Sequence, residues 1–232
     1  SLAEIIGRGI VMREDIEPPE ISVGIRREYF DDPKTGARMR WAIYIADTLD
    51  NGAGYSSKYN NLNEFKQLLE YTEKHIVRDS MLTEKHRNEC LDSCYLCIRN
   101  YENRFWHEML DWRLGRDLLN LLTNPDTSVT KLGSHWKHPF NNLLPDQLGE
   151  YFGGRFEVQE IEGHTIYCHS TQPFAFFARH PLLPNNCREI VQERNDIFGL
   201  VDARIENVIP FSIYDFKRNP LGVVQQIRAV TG

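Results

Sequence analysis

Long apolar runs are missing from this chain. The longest are only a few residues, so no transmembrane helix can be drawn through it. Its opening, SLAEIIGRGIVMREDIEPPE, has neither the basic stretch nor the small-residue cleavage site of a secretion signal, and a cytoplasmic setting is expected. An excess of basic charge is missing too. There are 27 Lys and Arg against 33 Asp and Glu, a net charge of -6. That argues against a domain dedicated to coating nucleic acid, while leaving room for a local basic strip. Cysteine is scarce: five residues, an odd number, three of them packed between Cys90 and Cys97. This is not the pattern of a disulfide framework. Internal repeats and low-complexity tracts are absent. The chain also lacks an initiator Met and stops at IRAVTG inside a helical pattern, so a fragment of a longer protein is expected.

What is present is ordinary globular material, 41% apolar and 26% charged. Ser1 is placed to cap a helix carrying Ile5, Ile6 and Ile10, which Pro18 and Pro19 end. ISVGIRREYF and RMRWAIYIAD alternate like strands and flank DDPKTGA, a turn composition, so a hairpin is expected. Leu62, Phe65, Leu68, Leu69, Thr72 and Ile76 follow a helical period, with Asn61 or Asn63 as the cap. A second helix is expected from about Arg104 to Leu122. These residues, 1–122, form the first expected domain. Residues 123–154 are rich in Pro, Gly, Asn and Ser and are expected to be a linker with one short helix. Residues 155–232 are expected to be a small β-rich domain, with strands in RFEVQEIEGHTIYCHS and GLVDARIENVIPFSIYDFK and a last helix from Pro220. The fold class is α+β.

The chemistry concentrates in CLDSCYLCIRNYENRFWHEMLDWRLGRDLL, Cys90 to Leu119. Zinc takes four sulfur or nitrogen ligands at tetrahedral corners. Cys94-x2-Cys97 can wrap one ion in a tight turn, and Cys90 can reach it. His107, about a turn into the following helix, is the first choice for the fourth ligand. His86, one helical turn before Cys90, is the second, and Cys168 or Cys187 would require the C-terminal part to fold back. Unligated thiols, or a redox Cys-x2-Cys with a bystander, compete with this reading.

This stretch, together with YIADTLDNGAGYSSKY, is similar to MZB, the helicase-associated zinc-binding domain near the C-terminus of large bacterial superfamily 2 helicases of the DEAD/DEAH-box-like kind. DISARM-type phage-defence helicases are among them. The matching positions are Asp47, Thr48, Gly52, Ala53, Gly54 and Tyr55, then Cys90, Cys94, Cys97, Tyr101, Asn103, His107, Leu110, Asp111 and Arg113. Asn51 stands where the family has the first Gly of a pair, Ile98 replaces a Leu, and Trp112 separates Asp111 from Arg113. The resemblance covers residues 1–122. FARHPLL and YDFKRNPLGVVQQI also resemble pieces that follow the module in the family, with Asn219 as a departure. The resemblance implies an accessory region that braces a helicase core in the same polypeptide, helps hold DNA, and serves DNA repair or phage defence, in the latter case beside a defence-system partner protein. Zinc would be its own cofactor. ATP and Mg²⁺ would enter only through the helicase core, because this chain has neither a Gly-x4-Gly-Lys-Ser/Thr loop nor an Asp-Glu-x-His/Asp box.

Three further sets of residues follow. Arg99, Arg104, Arg113 and Arg116 are the expected DNA-contacting strip, with Asn103 read as a helix cap. Phe105, Trp106 and Trp112 are expected mainly as helix core and boundary, with base stacking as the competing role. The Gly52–Gly54 turn is expected to be a plain strand-to-helix turn, with an anion site at its amides as the alternative. Asp202 on one strand and Asp215-x-Lys217 on the next would form a PD-(D/E)xK-like nuclease, with Glu189 or Glu193 supplying an upstream acid. A zinc-stabilised scaffold for protein partners is the remaining alternative.

Overall fold

The computed structural model describes residues 1–33, 36–49, 54–124, 126–137 and 139–231, with residues 139, 140, 230 and 231 by backbone alone. They divide into two compact units, Ser1–Thr127 and Ser128–Gly232. Both mix helix and sheet, which makes the chain α+β as its sequence pattern indicates.

The first unit opens with α1 (Leu2–Glu14), a 3₁₀ turn (Pro18–Glu20) and the antiparallel pair β1 (Ile21–Asp32) and β2 (Gly36–Asp47). Then follow α2 (Tyr55–Lys58), α3 (Leu62–Thr72) running into a π-helical segment (Glu73–Met81), α4 (Glu84–Glu89), a 3₁₀ segment (Arg104–Met109) and α5 (Trp112–Thr123). Its core gathers Ile5, Ile6 and Ile10 of α1 with Leu68, Val77, Met81, Ile98, Trp112 and Leu119. Two small residues let α1 sit this deep. A Cβ on Gly9 would collide with the Thr72 side chain of α3, and one on Gly115 of α5 would press on Ile5. Asn61 caps α3 by accepting from the amides of Asn63 and Glu64. Ser1 does not cap α1; its hydroxyl instead accepts from the amide of Asp111, 2.9 Å away.

The helix expected from Arg104 to Leu122 is two pieces. Asp111 is extended and its carboxylate accepts from the amide of Arg113, so α5 starts afresh at Trp112 and the stretch before it tightens to 3₁₀.

In the second unit a four-stranded sheet runs β3 (Phe156–Ile161), β4 (His164–His169), β5 (Phe174–Ala178) and β6 (Asn207–Phe211), antiparallel except for the parallel β5–β6 pair. A parallel pair needs a crossover, and α7 (Arg188–Phe198) lies in that connection. Helices cover both faces. Leu144 and Leu148 of α6 (Leu144–Phe152), Ile213 and Phe216 of α8 (Ile213–Arg218), and Val224 and Ile227 of α9 (Pro220–Thr231) pack with Tyr167, Phe176 and Phe211. Ile190 and Ile197 of α7 pack with Ile166, Ala175, Phe177 and Val208 on the other side. Residues read as a linker therefore supply core: Trp136, Leu144 and Leu148 are all buried.

The nuclease layout is not formed. GLVDARI is a turn rather than a strand, with Asp202 accepting from the amide of Arg204. Ser212 accepts from the amide of Asp215 and starts α8, so Asp215 and Lys217 lie on a helix, with Asp215 3.5 Å from Arg179. Among the described residues no helix is long and apolar enough to cross a membrane.

Candidate metal centre

The metal-binding residues lie between the π-helical segment and α5. Thr83 caps α4 by accepting from the amide of His86. His86 and Cys90 are one helical turn apart, and Cys90 leaves the helix in extended conformation. The carbonyl of Cys94 then accepts from the amides of Cys97, Ile98 and Arg99, folding Cys94–Cys97 into a tight turn. These bonds bring Nε2 of His86 and the sulfurs of Cys90, Cys94 and Cys97 within 4.8 Å of one another.

The spacing can be tested against an ion. Zinc about 2.3 Å from sulfur and about 2.0–2.1 Å from nitrogen, in tetrahedral geometry, sets sulfur–sulfur edges of about 3.8 Å and sulfur–nitrogen edges of about 3.6 Å. Cys90 Sγ and Cys97 Sγ are 3.8 Å apart, and Cys94 Sγ and His86 Nε2 are 3.6 Å apart. The donor set, one imidazole and three thiols, is one that zinc takes. All four tetrahedral positions would come from protein, the arrangement of a structural rather than a catalytic site.

The surroundings prepare these ligands. His86 Nδ1 lies 2.8 Å from the carbonyl of Met81. A carbonyl only accepts, so Nδ1 carries the proton and the Nε2 lone pair faces the thiols. The amide of Cys94 donates to Cys97 Sγ at 3.0 Å. A hydrogen bond from the Cys90 thiol pulls the Cys97 thiol down against the opposing effect of burial, and the same contact pushes Cys90 up. The Arg8 guanidinium donates to the carbonyls of Tyr95, Leu96 and Arg99, tying α1 to the thiol turn. Trp112 lies edge-on to His86, ring centres 5.2 Å apart, and seals the cluster from inside.

His107 is not part of this cluster, which corrects the first choice of fourth ligand. Its Nε2 donates to the Asn100 carbonyl and Asn103 Oδ1, at 3.0 and 2.9 Å. Asn103 is not a helix cap either. It exchanges backbone-to-side-chain hydrogen bonds with Asn100 and donates to the Ile98 carbonyl, bracing the loop after Cys97. Cys168 is buried in the second unit's core, and Cys187 packs against that core. The signal for His86 was its spacing, His-x3-Cys-x3-Cys-x2-Cys.

The arginine strip divides. Arg113 is 2% exposed and held by Asp111 and Asp92 at 2.6 and 2.8 Å, so it serves the interior. Arg116 is paired with Asp117 at 2.7 Å. Arg99 is half-buried and donates to the Ser93 hydroxyl. Arg104 is exposed, its guanidinium 4.3 and 4.5 Å from the ring centres of Tyr101 and Phe105. The expectation for the aromatics is corrected in part: Trp112 is core, but Phe105 and Trp106 are 79% and 59% exposed. Tyr95, Leu96, Tyr101 and Met109 are exposed beside them in sequence.

Asn51, Gly52 and Ala53 lie outside the described residues. Gly54 has φ 76°, a left-handed conformation suited to glycine. The amides of Tyr55 and Ser56 at the start of α2 donate to the Asp47 carboxylate, so these two donors are engaged by the chain itself.

Comparison with protein-family models, with curated proteins and with solved structures finds no match to this chain.

Proposed function

We propose that this chain is the accessory region of an ATP-dependent superfamily 2 helicase-like protein, a zinc-organised module that braces the helicase core and contacts DNA. The helicase setting rests on the resemblance of residues 1–122 to the MZB module. Zinc is supported by the fit of His86, Cys90, Cys94 and Cys97 to a tetrahedral ion. DNA contact rests on one observation, the exposed aromatic and arginine surface that follows the thiol turn. A soluble chain seldom exposes this many large apolar side chains so close together without using them. Aromatic faces offer stacking platforms to bases, and the arginine among them offers charge to phosphate. A rigid metal turn at the root of the loop fixes the direction of that surface.

The test is binding of labelled oligonucleotides by fluorescence anisotropy at rising salt. The intact chain should bind DNA with Kd on the order of micromolar or weaker at physiological salt, in the non-specific range. Replacing Phe105 and Trp106 with Ala should weaken binding at least about ten-fold, the loss of about one stacked base. Replacing Arg99 and Arg104 with Ala should flatten the salt dependence by about 0.7 in log–log slope for each phosphate that is no longer neutralised. Absence of DNA binding, with salt-insensitive capture of a protein partner by the same surface, would replace this reading by a zinc-stabilised scaffold.

A further inference from the structure

The register of β1 and β2 sorts their side chains onto two faces, because alternate residues share a face and paired residues lie together. One face carries Ser22, Gly24, Arg26, Glu28, Phe30 and Asp32 opposite Ala46, Tyr44, Ala42, Arg40, Arg38 and Gly36. Its acids are answered locally. Glu28 is paired with Arg26 and Arg40 at 2.7 and 3.4 Å, and Asp32 with Arg38 at 3.8 Å. Phe30 on this face is covered by Arg40, 5.0 Å from its ring centre, so its charges and its ring are engaged within the ribbon.

The other face is different. At its open end Ile21, Val23 and Ile45 pack on the core of the first unit. From Ile25 and Ile43 outward this face is largely exposed, including Tyr29 at 83%, Trp41 at 62% and Met39 at 53%. The charge in the middle of this exposed stretch is Arg27, paired across the strands with Trp41 and lying 4.8 Å from its ring centre. Tyr29 is paired with Met39, which puts Tyr29 and Trp41 on the diagonal of the same face. The other charge of this stretch, Asp31, is paired across the strands with Ala37 at the hairpin end, so the charge nearest Trp41 and Tyr29 is that of Arg27.

This charge selects among occupants. A second copy docking on the same patch would bring arginine toward arginine, since an isologous contact doubles whatever charge lies at its centre. A nucleic-acid strand brings phosphate to Arg27 and flat rings to Trp41 and Tyr29. Diagonal cross-strand neighbours are about 7–8 Å apart, roughly twice the 3.4 Å rise of stacked bases, which is the spacing of two rings that flank one base. In a duplex the base faces are covered by their neighbours, so only an unpaired strand can use such rings.

We propose that the exposed apolar face of the β1–β2 ribbon binds single-stranded nucleic acid, stacking bases on Trp41 and Tyr29 with phosphate at Arg27. This rests on the nucleic-acid reading above and adds to it a second surface and a strand form. The test compares the intact chain, the Tyr29→Ala/Trp41→Ala variant and the Trp41→Phe variant for binding of a short labelled oligothymidine and of a matched duplex. Melting temperature and zinc content are checked for each. The ribbon double variant should lose single-strand binding at least about ten-fold, with duplex binding and melting unchanged. Trp41→Phe should keep most of the affinity and lose part of the tryptophan quenching that the oligonucleotide causes. If the intact chain binds oligothymidine and the double variant binds it equally well, the ribbon proposal falls and the DNA reading stands. If the intact chain binds neither strand form, both fall. If the double variant instead converts a sedimenting dimer to a monomer, the face is a contact between copies, and the proposal is overturned.

Discussion

A histidine holds a metal through one nitrogen, and what its other nitrogen touches decides which one is available. Met81 makes that choice for His86, and the Asn100–Asn103 pair makes the opposite commitment for His107. His107→Ala should therefore leave about one zinc per chain by elemental analysis, whereas His86→Ala should leave a three-thiol site that loses its metal to a mild chelator. Retention of metal by His86→Ala alongside loss in His107→Ala would reverse the assignment. Glu14 gives a pH prediction. Burial pushes its carboxyl up, but hydrogen bonds from Tyr59 and Lys58 and the charges of Lys58 and Arg13 outweigh this and hold it below the usual carboxylate range. A lowered folded value means that its stabilisation is present at neutral pH and is lost as pH falls through that value. Glu14→Gln should thus melt lower than the parent at pH 7, with the difference closing in acid, as melting curves across the acid range would reveal.

At the scale of elements, the thiol turn is held from two sides. Arg8 reaches it from α1, and Arg113 at the start of α5 holds Asp92, two residues before it. Removing Arg8 should weaken zinc affinity about 10- to 100-fold in a competition titration, the usual effect of removing an outer-shell partner. Arg8→Lys should recover only part, since a compact ammonium lacks the planar fork and the reach of the guanidinium. Asp111 is fully buried against Arg113, and Asp111→Ala should cost about 3–5 kcal/mol in denaturant unfolding, because it strands a buried charge and uncaps α5. These interactions also explain what was legible in the sequence. Cys90, Cys94 and Cys97 could be read because their spacing is local. The sequence favours His107 over His86 because its pattern predicts a continuous helix there, and nothing local announces that Asp111 caps a new one. In the second unit, Ser212 turned an apparent strand into α8 by the same kind of short-range cap, and FAFFA is a two-sided buried strand whose period cannot be told from that of a buried helix.

For the whole molecule, the informative fact is that the two units have separate cores and that all four metal-binding residues belong to the first. A strong chelator should lower the melting transition of residues 1–127 and leave that of residues 128–232 where it was, seen as two calorimetric peaks moving apart. A single transition shifting as one would show that the units do not melt independently. The hairpin, α1, α3 and the α+β character were legible across this scale because periodicity and turn chemistry are local. The extent of the second unit was not, since Pro-, Asn- and Gly-rich text around α6 concealed Leu144 and Leu148, whose burial depends on a sheet formed later in the chain.

The four metal-binding residues lie within twelve consecutive positions, whereas Arg8 meets the turn from 87 to 91 residues away and Ser1 meets Asp111 across 110. Closing a short loop costs less chain entropy than closing a long one, and it takes well under a microsecond. The order of assembly follows. The metal turn can form while the chain is otherwise open, before the long-range contacts that Arg8 and Ser1 make with it and with Asp111. A chain that meets zinc early should refold quickly, and one that must fold without it has to find the α1 docking site before the turn exists.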